Sequence, residues 1–380
     1  MAYDKVVDSA SLDSKLTQVA DAIRTKGNTS ADLQFPSGFI SAIQAIKTGT
    51  ELKIIVSVTS GATVTATKGS LSVSGTSVNG TCTLTVPEEG EWTVSATLGG
   101  ETSTSTTVNV VSSYYAVVAF ASTILNNNSW EIIRGISDAG IGENVWSIGD
   151  CKEITLNGTV GHLTLSNYTT YAFIIGFNHN QELEGTNRIH FQLGKTALSG
   201  GTDIALCDSK YSSQVSYDGG YFTMNTLQMN SGGWKSSQMR TEICGTSLSS
   251  YSGKIIEVIP AALRAVLKSV TKYTDNTGNN SSAASAVTAT TDYFFLLSEY
   301  EVFGTISKAN SNEASKQAQY SYYSAGNSKV KYNHSATSTD VIWSLRSPSG
   351  SSTFVTVNGA GAVVALIANY SWSFAPGFCI

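Results

Sequence analysis

Few residues in this sequence have the type and spacing that chemistry needs. Glu299 and Glu301 in "SEYEVFG" are one candidate set. Two carboxylates at period two would share a strand face, as the acid and base of a glycosidase can. Their neighbours Tyr300, Val302 and Phe303 favour a core strand with a hydrogen-bonded buried carboxylate. The second candidate is His179 in "GFNHNQELEG", flanked by Asn178, Asn180, Glu182 and Glu184. Metal ligands come in sets of three or four, and His162, His190 and His334 lie scattered elsewhere. His179 therefore reads as a structural hydrogen-bonder, and no metal, cofactor or catalytic residue is expected. No G-x-S-x-G, P-loop, H-E-x-x-H or EF-hand loop occurs. The 5 cysteines, Cys82, Cys151, Cys207, Cys244 and Cys379, form no C-x-x-C or zinc pattern. They read as free, mostly buried thiols of a protein folded in a reducing cytoplasm.

Aromatic and polar clusters carry more information. "SGGWKSSQMR" pairs Trp234 with Arg240, and "VIWSLRSP" pairs Trp343 with Arg346. Both suggest buried arginines pinned by stacking and by backbone carbonyls. The last stretch, "GAGAVVALIANYSWSFAPGFCI", holds no charged residue from Gly359 to Ile380. "AVVALIA" lacks a polar period, as a strand buried on both faces would. Tyr370, Ser371 and Trp372, just beyond it, are residue types that paratopes use for rigid and adaptable contacts. A binding face and a buried terminal strand are the two readings.

Three segments position these residues. In residues 1–49, Leu12, Leu16, Val19 and Ile23 fall at helical spacing, with Ser9 or Ser11 as cap and Gly27 as stop. Phe39, Ile40, Ile43 and Ile46 form a second stripe that ends at Gly49. Such a pair buries too little to stand alone. It either packs on its own chain or serves as an oligomerising or docking tag. Residues 50–112 alternate apolar residues with Ser and Thr between Gly, Pro and Asn-Gly punctuation. They predict a small immunoglobulin-like β-sandwich spacer with Trp92 and Val94 inward. Residues 113–380 mix short β-like runs such as "YYAVVAF" and "YAFIIGF" with an expected helix at "IPAALRAVLKSVTKY". "TDNTGNNSSAASAVTATT" reads there as a long mobile loop. The fold class is α+β, multidomain.

Composition sets outer limits. Of 380 residues only 13% are charged, against roughly 25% in an average soluble protein. A net charge of -5 argues against nucleic acid as a partner. No apolar stretch is long enough for membrane insertion. The first residues, "MAYDKVVDSASLDSKL", have no apolar core of a secretory signal. The chain is therefore expected to be assembled inside a cell and to leave by lysis or on a particle.

The ordered series "SWEIIRGISDAG", "WSIGD", "FIIGFNHN", "GGWKSSQMR", "IPAAL", "LLSEYEVFG", "WSLRSP", "FVTVNGAG" and "APGFCI" resembles an uncharacterised domain family frequent in phage tail proteins and in prophages of gut Firmicutes. It spans roughly residues 113–380. The first residues, through "GFISAIQAI", resemble a short module that recurs on phage tail and minor structural proteins. The ending also resembles the C-type-lectin-like variable proteins of diversity-generating retroelements. In relatives of that kind the tail tract is often V-N-x-N-G-N-A-N-N-N-N-A. Val357, Asn358, Gly361 and Ala368 keep step with that form. Gly359, Ala360, Ala362, Val364, Ala365, Leu366, Ile367, Tyr370 and Ser371 depart from it. Adenine-directed mutagenesis of AAC codons yields residues encoded by NNC, which all of these can be. Trp372 cannot, and enters on its paratope chemistry alone, beside Asn369.

The resemblances imply a phage tail receptor-binding protein of the virion. Its helical pair would attach or oligomerise the chain, as a homotrimer by analogy with tail fibres. Its C-terminal domain would bind a host-surface protein or glycan, through residues 359–372, beside other tail or baseplate proteins. The lectin Glu-Pro-Asn motif is missing, so calcium-dependent sugar binding is not implied. The alternatives are a polysaccharide hydrolase using Glu299 and Glu301, or a purely structural tail or baseplate component.

Overall fold

Two helices open the chain. Leu16, Ala20 and Ile23 of α1 (Ser9–Gly27) meet Phe39 and Ala42 of α2 (Ser37–Ala45). Among the described residues, Ala20, Ile23 and Phe39 are the fully buried apolar side chains there. Leu12, Val19, Ile40 and Ile43, expected on the inward stripes, stay exposed. This computed structural model describes residues 9–27, 30–45, 51–98, 101–103, 105–111, 114–117, 122–213 and 219–380. The expected stripe residue Ile46, the stop at Gly49 and the second half of "YYAVVAF" lie outside the described residues.

Period-two alternation then produces strands with one face buried. They are β1 (Lys53–Ser57), β2 (Thr63–Lys68), β3 (Leu71–Thr76), β4 (Thr81–Thr85), β5 (Gly90–Leu98), β6 (Glu101–Thr102), β7 (Thr106–Val110) and β8 (Tyr114–Val117). One sheet has the order β4-β1-β8, with β8 parallel to β1. The other runs β3-β2-β5-β6, with β7 also paired to β5. The two sheets share one core, in which Ile54, Val56, Val64, Leu84, Trp92 and Val94 are buried. The Trp92 indole satisfies its N–H on the Glu88 carbonyl at 3.1 Å.

The rest of the chain builds a separate, larger core. Ser129 caps α3 (Trp130–Asp138) by accepting from the Ile132 N–H, and Trp130, Ile133 and Ile136 face inward. The strands are β9 (Cys151–Val160), β10 (Leu163–Phe177), β11 (Ile189–Leu193), β12 (Ile204–Ala205), β13 (Val270–Asp275), β14 (Val287–Asp292), β15 (Phe294–Phe295), β16 (Lys331–Asn333), β17 (Ala336–Val341), β18 (Trp343–Ser349), β19 (Thr353–Val357), β20 (Val363–Ile367) and β21 (Gly377–Cys379). The main sheet runs β15-β21-β11-β10-β9, so the last strand fills an interior place. Phe378 stacks on Phe191 at 5.3 Å and meets Trp130 and Phe294. A second sheet, β18-β19-β20, carries the terminal tract. The class is mixed α+β.

Three local expectations are corrected. The helix over "IPAALRAVLKSVTKY" is a single turn, Ala261–Arg264, and the chain is extended from Val270. Six residues of β13 pair with β14 and bury Lys272 and Thr274, which outweighs local helix preference. The stretch read as a mobile loop contains β14. Its turn is held by the Asp275 carboxylate, which accepts the N–H groups of Thr277 and Gly278, each at 2.9 Å. Asn310 also donates to the Ala283 carbonyl at 3.1 Å. "SEYEVFG" is a one-turn helix, Glu299–Phe303, not a strand. Ser298 and Glu301 form a reciprocal capping box at its start. All five cysteines are free and buried. Among the described residues no helix is long and apolar enough to cross a membrane.

Candidate functional site

The uncharged tract forms the outer part of an antiparallel hairpin. β19 lies between two strands, so Phe354, Val355, Thr356 and Val357 are buried. The five-residue loop that follows, 358–362, has a specific chemistry. Asn358 accepts from the Gly361 N–H at 2.9 Å, and its N–H donates to the Ala362 carbonyl at 2.9 Å. Gly361 adopts φ 77, the left-handed position such loops require. The Asn358 side chain closes the turn, with Oδ1 accepting from Ala360 N and Ala362 N at 3.0 and 2.9 Å.

β20 is the sheet's edge. The backbone bonds from Asn358 to Ala362 and from Ala368 to Ser352 fix the ladder's phase. Val364 and Leu366 bond to β19, while Val363, Ala365 and Ile367 turn their peptide groups outward. Among the described residues no strand pairs with that outer edge. The Ile367 carbonyl accepts from Tyr370 N and Trp372 Nε1. All five β20 side chains are half-buried, and Ala360 and Ala362 are exposed at the turn. An apolar edge without a charge or proline lacks the features that usually discourage pairing.

The predicted face divides in two. Gly359, Ala360, Ala362, Val364, Ala365, Leu366, Ile367 and Tyr370 reach the surface. Asn369, Ser371 and Trp372 do not, because they are buried. Ser371 is a staple: its hydroxyl donates to Asp208 at 2.7 Å, and its backbone bridges to Tyr211 and Thr223. Asp208 also accepts the N–H groups of Lys210 and Phe222 at 2.8 and 2.6 Å. Trp372 lies under Tyr370, ring centres 5.6 Å apart. Asn369 Oδ1 is buried with no hydrogen-bond partner among the described residues. The sequence lacked a signal for the burial of Ser371 and Trp372, because their partners Asp208 and Tyr211 lie more than a hundred residues away.

The two glutamates considered for catalysis come from one helical turn and are fully engaged. Glu301 accepts from Arg346 Nη1 and Nη2 at 2.5 and 2.9 Å, from Lys272 Nζ at 2.9 Å and from Ser298 N at 2.9 Å. Burial alone would raise its carboxyl, but the Arg346 and Lys272 charges outweigh that and hold it well below the ordinary range. Glu299 accepts from Ser307 N, Lys308 N and Ala309 N at 2.6, 3.1 and 2.7 Å. Both side chains are buried.

His179, Glu184 and His190 bring three potential metal-ligand atoms within 4.8 Å of one another. His179 Nε2 donates to the Ala318 carbonyl at 2.9 Å, and Nδ1 lies 3.0 Å from Glu184. The Lys272 ammonium donates to Glu184 and to the Tyr320 hydroxyl, each at 2.7 Å. That hydroxyl is 3.0 Å from His190 Nδ1. Burial first, then the Lys272 charge, pushes His190 well below the usual imidazole range. The donor set fits a buried ammonium, and a divalent cation beside Lys272 would meet strong repulsion. His179 is therefore a structural partner within this network.

The arginines are pinned by carboxylates and carbonyls instead of by tryptophan stacking. Arg346 is fully buried and also donates to the Leu296 carbonyl at 2.8 Å and Thr274 Oγ1 at 2.7 Å. Arg240 Nε donates to Asp292 at 2.6 Å, and the same carboxylate accepts the Trp234 indole N–H at 3.1 Å.

Residues 219–380 match a family described as a domain of unknown function (DUF6273). That stretch holds the β13–β14 hairpin, the charged network around Arg346 and the whole terminal tract. No curated protein and no solved structure matches the chain.

Proposed function

We propose that this chain is a phage tail receptor-binding protein whose terminal hairpin contacts a host-surface protein or glycan. The helical pair joins it to the virion and to further copies, as a homotrimer. The two-sheet unit is an immunoglobulin-like spacer, and the C-terminal unit is a C-type-lectin-like domain.

One observation carries this reading: the division of labour along residues 357–371. The four positions that keep step with the variable-protein pattern each have a structural duty. Val357 and Ala368 are buried, Asn358 closes the turn and Gly361 has left-handed backbone. Of the nine positions that depart from it, eight reach the surface and only Ser371 is buried. A tract selected only to fill a core would not sort its residues this way. Many copies on one particle would multiply a modest single-site affinity.

The test is adsorption of the purified chain to candidate host cells. Wild type is compared with a variant carrying serine at Val364, Ala365, Leu366 and Ile367. Adsorption is expected to fall while circular dichroism stays unchanged. Undiminished adsorption by the folded variant would remove the terminal face from the reading. If deletion of residues 113–380 blocks particle assembly, the structural-component alternative takes its place. Hydrolysis through Glu299 and Glu301 has no support in the geometry, since neither carboxylate has a free side for substrate.

A further inference from the structure

The helical pair leaves two unequal flanks uncovered. Side chains on a helix recur about every 3.6 residues. That spacing sets Leu12, Val19 and Ala22 on one side of the buried Leu16–Ala20–Ile23 seam, beside Lys15 and Lys26. Asp13, Thr17 and Arg24 fall on the other side. The surface follows this division. One groove is lined by Lys15, Val19, Ala22 and Lys26, and another by Asp13, Arg24, Asp32 and Phe35.

The apolar content of both flanks is open to solvent. Leu12 and Val19 are 45% and 47% exposed, and Phe35 is 62% exposed. Arg24 is taken up by Asp21 at 2.6 Å, so Asp13 and Asp32 leave the second flank negative. The first flank is positive through Lys15 and Lys26. A positive apolar flank and a negative apolar flank on the same small unit are complementary between copies, head to tail. A contact of that kind repeats from copy to copy, and closes into a ring where the rotation between copies allows it. A unit that buries three apolar side chains among its described residues enlarges a small core in this way.

We infer that the helical pair is the contact through which copies of this chain assemble, with the Lys15–Lys26 flank of one copy seated on the Asp13–Asp32 flank of the next. The inference rests on the homo-oligomer reading above and names its interface. The occupant is a second copy of this chain, because the chain itself supplies the opposite charge and matching apolar residues.

Sedimentation velocity of the full chain tests it. Wild type is expected to sediment as one closed oligomer. Lys15→Glu with Lys26→Glu is expected to weaken association by about tenfold or more, through like-charge contact. Adding Asp13→Lys and Asp32→Lys to that variant is expected to restore the oligomer. Val19→Asp, with helix content checked by circular dichroism, is expected to dissociate it without reference to the lysines. A monomeric wild type, a doubly reversed chain that stays fully associated, or a fourfold variant that fails to reassemble would each overturn the interface. These outcomes are independent of the terminal tract. An oligomer that fails to adsorb counts against the tract alone, and a monomer whose adsorption still needs Val364–Ile367 counts against this interface alone.

Discussion

Replacing Glu301 by glutamine should separate a structural role from a catalytic one. The substitution keeps the size of the side chain and removes its charge. Arg346 then loses the Glu301 carboxylate, previously held through two bonds of 2.5 and 2.9 Å. It keeps neutral acceptors, the Leu296 carbonyl and Thr274 Oγ1. Lys272 is less affected, because Glu184 remains at 2.7 Å. The new amide N–H group must also face a guanidinium or an ammonium, which have no acceptor to offer. Breaking a fully buried pair from one side costs about 3–5 kcal/mol. At about 1.4 kcal/mol per factor of ten, that is a loss of two to three and a half decades in the folding equilibrium. Urea unfolding followed by tryptophan fluorescence reads this, since Trp130, Trp146, Trp234 and Trp343 are buried in the same core as Glu301. The double variant Glu301→Leu with Arg346→Met should recover most of the loss, because it leaves no orphaned charge. A Glu301→Gln protein within about 1 kcal/mol of wild type would refute the reasoning. So would unchanged stability coupled to loss of a glycan-degrading activity, because Glu301 would then be serving a substrate.

Three further outcomes follow from the geometry. Ala360→Asp with Ala362→Asp, at the exposed turn, should change stability by no more than about 0.5 kcal/mol yet abolish adsorption to host cells, as read by cell-binding assay beside a thermal melt. Gly361→Val forces a β-branched residue to φ 77 and should cost at least about 1–2 kcal/mol. Gly359→Ser should be milder, because the atoms nearest the new Cβ belong to the exposed Asp340 side chain, which can swing away. Burial raises the Glu313 carboxyl from 4.5 to about 7, so the folded protein holds that proton more tightly than the unfolded chain. Its stabilising contribution is therefore complete below about pH 4.5 and is lost as pH rises through 7. The melting temperature of wild type relative to Glu313→Gln should fall between pH 5 and pH 8, and a flat difference would refute this assignment.

Legibility in the sequence tracked the range of the forces involved. The alternation around Trp92 depends on neighbours a few residues away and was readable, whereas of the expected stripe Leu12, Leu16, Val19 and Ile23 only Leu16 and Ile23 face the seam, with Ala20 between them. The strand at Lys272 was not readable. Its apolar neighbours Val266, Leu267 and Val270 fit a helix stripe, and only pairing with β14 makes the segment extended. Glu301 did carry a local signal. Ser298 three residues ahead of it is a capping box, although the period-two pattern of Glu299, Tyr300, Glu301 and Val302 suggested a strand. The division of the terminal tract was half legible. Asn358 and Gly361 are recognisable turn residues, while the burial of Ser371 follows from Asp208, 163 residues earlier.

The interior place of β21 bears on how the chain is made. His190 on β11 and Cys379 on β21 are 189 residues apart, yet they are direct partners across the sheet. During synthesis β11 and β15 emerge long before the strand that joins them. Until then Phe191 and Phe294 line an unfilled slot, the kind of open edge that captures the wrong partner. Contacts of such long separation are also slow to form. The residues that close the slot lie just past the tract that departs from the pattern, and they pair with β11 and β15. A chain cut short within the tract therefore lacks β21 and has its central sheet still split between β15 and β11.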